Sequence, residues 1–140
     1  MHQHHYFIVT NTFQHVVDCF CPDGDHSDVL EIKKEAFIEV TNDKKFLFDT
    51  GWYILVILNR HWHFYMALED LEKYFTQGYL ASLVDIELKI NHLKFQIDQS
   101  LGKGDESSFL QSSKCLKESS ELKLRLEHFL HQMEIESQFL

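Results

Sequence analysis

Trp52-Tyr53-Ile54-Leu55-Val56-Ile57-Leu58 is followed by Asn59-Arg60, by Trp62 to Met66, and then by Ala67-Leu68-Glu69-Asp70-Leu71-Glu72-Lys73-Tyr74-Phe75. The first run is apolar on both sides, the mark of a strand covered on two faces. Asn59-Arg60 reads as a turn, and Trp62 to Met66 as the last strand of the series. At Ala67 the period changes. Leu68, Leu71, Tyr74 and Phe75 fall on one helical face, with Glu69, Asp70 and Glu72 in the first turn, where the helix dipole favours acids. Strands before residue 67 and helices after it predict an α+β domain: an N-terminal antiparallel sheet of four to six strands, then three helices.

Upstream, Tyr6-Phe7-Ile8-Val9 is a short apolar strand and Asn11-Thr12 a turn. Phe13, His15, Val17 and Cys19 alternate with Gln14, Val16 and Asp18, a period near two. Cys21-Pro22-Asp23-Gly24-Asp25 breaks the pattern as a surface loop. Val29 to Val40 reads as one longer stretch. Asn42-Asp43 turns it, Lys44 to Phe48 pairs back, and Asp49-Thr50-Gly51 turns again.

Downstream, Gly78 is a natural C-cap for the first helix. A second helix starts near Ala81 with the stripe Leu83, Ile86, Ile90, Leu93, Ile97 and Leu101, spaced 3, 4, 3, 4 and 4. Gly102-Lys103-Gly104 stops it, and Asp105 caps a third helix that runs from Glu106 to near the end. Its stripe is Phe109, Leu116, Leu122, Leu126, Phe129 and Met133. Ser112, Ser113, Ser119 and Ser120 lie near Leu116, where small side chains let another helix approach. The last two helices therefore form a hairpin, with several turns of the third helix overhanging the shorter second one.

Ile97-Asp98-Gln99-Ser100-Leu101, Gly104-Asp105 and Phe109-Leu110-Gln111-Ser112 together resemble the IDEAL domain, a short helical module of small proteins from Bacillus-type bacteria and their phages. The resemblance covers residues 85–125, with Ser100 where the family prefers Ala and Gln99 where it often has an acid. It implies a cytoplasmic bacterial or phage accessory protein. The family carries no catalytic residues to transfer.

Composition fits one domain over residues 1–140, with residues 1–66 mostly strand and 67–140 helical. Hydrophobic residues are 44% and charged residues 25%, which excludes wholesale disorder. The net charge of −9 disfavours nucleic acid and anionic membrane surfaces, and it is spread over both halves with no charged tail. The longest apolar run, Trp52 to Leu58, is far short of the roughly 20 residues that a bilayer needs. The residues after Met1 carry no signal-peptide pattern, and three cysteines suit a reducing compartment, so a cytoplasmic protein is expected.

Two constellations bear on chemistry. His15, Cys19 and Cys21 share one strand face, with His26 in the following loop, and His61-Trp62-His63 offers two more imidazoles on a strand. These donor types suit zinc, although C-x-C is tighter than the usual pair. The plain alternative is half-buried thiols and amphipathic rings in a sheet. No G-x-S-x-G, Walker loop or G-x-G-x-x-G occurs. The sequence thus favours a non-enzymatic protein that binds protein, without a cofactor, as a regulator, adaptor or inhibitor. Its expected anchors are Leu126, Phe129, Leu130, Met133 and Phe139 on the overhang; a homodimer is the simplest way to bury them, the alternative being that they cover the outer face of the sheet. The alternative is a metal-binding or metal-dependent hydrolytic domain using His15, Cys19, Cys21, His61 and His63. A purely structural homo-oligomer is a third reading.

Overall fold

A computed structural model describes residues 4–18 and 27–138. Chain contacts divide it into two compact units, Met1–Ala81 and Ser82–Leu140. The class is α+β, as the sequence predicts.

The first unit is built on an antiparallel sheet of five strands: β1 (His5–Val9), β4 (Phe37–Leu47), β5 (Gly51–Leu58), β6 (Trp62–Ala67) and β7 (Leu80–Ala81). The order is β6-β5-β4-β1-β7. The strands β2 (Phe13–Asp18) and β3 (Ser27–Ile32) make a separate hairpin, and helix α1 (Leu68–Thr76) packs on β5, β6 and β7. Because α1 stays with the sheet, the units part at residue 81 rather than where strand gives way to helix.

The core forms where the hairpin and α1 meet one face of the sheet. Val9, Phe13, Ile32, Ile38, Val56, Met66, Leu71 and Leu80 are among its buried members. The register explains the sidedness. Ile38 pairs with Leu58 and Leu58 with Trp62, while Val40 pairs with Val56 and Val56 with Phe64, so each cross-strand row lies on one face. Phe13 closes the core between Tyr74, 4.4 Å away by ring centroids, and Tyr79, 5.2 Å away.

Two strand boundaries differ from the expectation. The stretch from Val29 to Val40 is interrupted after Ile32, and Glu35 at φ 76 carries the chain through the left-handed region into β4. Asn42-Asp43 is not a turn. β4 continues through it to Leu47, and the register with β5 shifts between Val40 and Lys44, a bulge. The Thr41 hydroxyl fixes this bulge: it donates to the Leu55 carbonyl at 2.9 Å and accepts from the Asp43 amide at 3.2 Å. Asn59-Arg60 is the turn expected, both residues having positive φ, and His61 completes a three-residue loop between the paired Leu58 and Trp62.

The second unit is the helical hairpin, α2 (Leu83–Lys103) packed on α3 (Glu106–Gln138). Ser82 accepts from the Asp85 amide while the Asp85 carboxylate accepts from the Ser82 amide, a capping box. Gly104, at φ 67, ends α2. Asp105 starts α3 by accepting from the Ser108 amide at 3.1 Å and from the Ser108 hydroxyl at 2.8 Å.

Candidate functional site

The hairpin has two faces of different character. Ile86, Ile90, Leu93 and Ser100 of α2 are buried along the seam with α3, as are Ser112, Ser119, Leu122 and Leu126 of α3. The buried serines confirm that small residues line the close approach. They also leave a polar groove of about 370 Å3 beside the turn, lined by Gln96, Ser100, Ser112 and Cys115 among others. Ser100, not the expected Leu101, completes the α2 stripe, and Leu101 is exposed. Seven residues after Leu93 return to nearly the same angle, whereas eight overshoot by about 80°. The Ile97–Ser112 stretch forms this end of the hairpin, with Ile97 half-buried.

On the side of α2 opposite the seam lie Val84, Leu88 and Phe95, exposed at 62%, 62% and 57%. At 100° per residue the three fall within about 40° of arc, and Asn91, between Leu88 and Phe95 in the chain, lies about 20° outside it. Asp85 and His92 flank this row on one side, Glu87 and Lys94 on the other, and all four are exposed. Lys123 of α3 approaches the Glu87 carboxylate to 3.9 Å at the surface. Amphipathic reading assigned one face of α2 to the core and missed this row. The signal was a second apolar series, spaced by four and then seven residues, in the same helix.

The anchors expected on the third helix differ in burial. Leu126 is fully buried and Phe129 is 8% exposed, so neither is a free anchor, and Leu130 and Met133 are half-buried. Leu126 is covered because an antiparallel α2 of 21 residues reaches back alongside it. Phe139 lies outside the described residues.

Among the described residues, the histidines of the metal set are not brought together. His15 is 2% exposed, its Nδ1 is 2.7 Å from the Tyr74 hydroxyl, and its ring sits 5.8 Å from that of Phe64 on the covered face of the sheet. His63, next to Phe64 in β6, lies on the opposite face. His61 is in the β5–β6 turn rather than on the strand, so it does not share a strand face with His63. Cys19, Cys21 and His26 lie outside the described residues. Among the described residues, no group of three or more His, Cys, Asp or Glu is placed to hold a metal ion.

His63 lines instead a cleft of about 480 Å3 with His4, Thr41, Asp43, Leu55 and Ile57. Two of its lining side chains, His4 and Asp43, are bonded to neighbours. The buried Glu39 carboxylate bonds to His4 Nδ1. Burial, and then Glu39, push the Tyr6 hydroxyl pKa up. The Tyr65 hydroxyl donates to Asp43 at 2.9 Å, which raises its own pKa.

The chain matches no protein-family model, no curated protein and no solved structure.

Proposed function

We propose that this protein works by binding protein rather than by catalysis, through the outer face of α2, as a cytoplasmic regulator, adaptor or inhibitor in a bacterial or phage process. One observation carries the reading: Val84, Leu88 and Phe95 keep more than half of their surface in solvent, at the spacing of a helix that sits in or against a partner. Isolated exposed apolar residues need no explanation, but an aligned row rimmed by charges does. The IDEAL resemblance of Ile97 to Ser112 supports the bacterial or phage setting. The net charge of −9 supports a protein partner over nucleic acid. Among the described residues no helix is long and apolar enough to cross a membrane.

The test uses the full chain as bait in a lysate of a Bacillus-type bacterium, beside Phe95→Glu. Supporting the reading, wild type retains a specific protein, a second copy of this chain included, and Phe95→Glu loses it while melting at the same temperature. Equal retention by both chains overturns it.

A further inference from the structure

We infer that the outer row of α2 pairs with the same row of a second copy of this chain, antiparallel, about a two-fold axis between residues 89 and 90. This rests on the protein-binding reading above and names its partner.

Three observations carry it. The first is spacing. Val84, Leu88, Asn91 and Phe95 recur at 4, 3 and 4 residues, the seam repeat of a two-helix coiled coil, and the three apolar members are exposed. The second is shape. Antiparallel pairing about that axis sets the small Val84 against Phe95 of the second copy, and Leu88 against Asn91, so the seam keeps an even width. Parallel pairing would set Phe95 against Phe95 and Val84 against Val84.

The third is charge. Along each flank the antiparallel arrangement runs a side chain past its own flank in reverse. Glu87 then meets Lys94 of the second copy and Lys94 meets Glu87. On the other flank Asp85 meets His92, twice. Every one of these pairs joins an acid to a base or an imidazole. The row also lies on the neutral part of an acidic chain. In α2 the carboxylates Asp85, Glu87 and Asp98 are balanced by Lys89, Lys94 and Lys103, while the whole chain carries −9. Two copies can therefore meet at α2 without opposing their excess acid directly. A two-fold contact uses one patch twice, so no second surface is required.

One helix face buries less than the roughly 1,600 Å2 of a standard interface, which places the dimer in the weak, transient class, and the concentrations to scan are about 10–100 µM. Sedimentation equilibrium of the full chain over that range should give a mass rising from one chain toward two. Glu87→Lys and Lys94→Glu, each placing like charges together twice, should weaken the dimer roughly tenfold or more. Mixing those two single variants should restore the mass, and so should the double variant Glu87→Lys/Lys94→Glu. Only an antiparallel α2 pair gives this rescue. A wild-type chain that stays single throughout the range overturns the self-pairing, while the lysate capture of the preceding subsection can still succeed. A dimer unmoved by either charge reversal, or not rescued by mixing, also overturns it by placing the contact elsewhere.

Discussion

At the scale of single residues, the decisive facts are which side chains local chemistry fixes and which need a distant partner. Asp105 and Gly78 act as the sequence predicts because capping is local: Asp105 binds Ser108, and Gly78, at φ 78, closes α1 with its amide on the Phe75 carbonyl. His15 could not be placed by its own neighbours. Its partner Tyr74 is 59 residues away, and only the packing of α1 decides that the ring is core. Tyr74 itself is pushed up to about 12, first by burial and then by Asp70. The folded protein holds that proton where the unfolded chain, at the ordinary tyrosine value of about 10, releases it. Stability should therefore fall as pH rises from about 10 to about 12. Melts of wild type across that range should show the fall, and Tyr74→Phe should flatten it. At neutral pH Tyr74→Phe should cost about 1–3 kcal/mol, because it takes the hydroxyl away from buried His15. The Asp105 carboxyl is shifted the other way, held below its ordinary range first by the Ser108 hydroxyl and then by the Ser108 amide. Its contribution is present above the unfolded value and lost as pH falls through the folded one. Asp105→Ala should lower the melting temperature at neutral pH and reduce the loss of stability on acidification.

At the scale of elements, the helix pattern was legible for one face and silent on the other. The stripe Ile86, Ile90 and Leu93 is buried as its spacing predicts, but periodicity assigns a single apolar face, and Val84, Leu88 and Phe95 belong to a second. The Asn42-Asp43 bulge was misread because turn residues also suit a bulge, and only the register with β5 distinguishes them. The overhang was not legible in detail, because apolar content alone does not say whether Leu126 is covered. Two pairs of substitutions separate the faces by urea or thermal melts. Ile90→Asp puts a charge in the seam and should cost about 3–5 kcal/mol, whereas Leu88→Glu, two residues away on the other side, should stay within about 0.5 kcal/mol. Likewise Leu126→Ala should cost about 2–5 kcal/mol and Leu124→Ala, on the exposed side, close to nothing.

At the scale of the whole molecule, charge and association are the relevant quantities. Lys33-Lys34 and Lys44-Lys45 are exposed, yet they are the densest basic groups of a chain at −9, and Lys45 lies over the Tyr65 ring at 5.5 Å. Mobility shifts with random DNA at physiological salt should therefore be absent at micromolar protein. A clear shift would mean that these four lysines outweigh the net charge. The division into Met1–Ala81 and Ser82–Leu140 was only partly legible, because the change of period at Ala67 is visible in sequence but the attachment of α1 to the sheet is not.

The central claim is that the outer row of α2 is a docking face and contributes nothing to the fold. Sedimentation equilibrium of wild type beside Leu88→Glu, with matched melts, tests it most directly. The account predicts equal melting temperatures, a wild-type mass that rises with concentration, and a variant that remains a single chain. Superimposable mass curves for the two proteins, or a Leu88→Glu chain that unfolds, would contradict it.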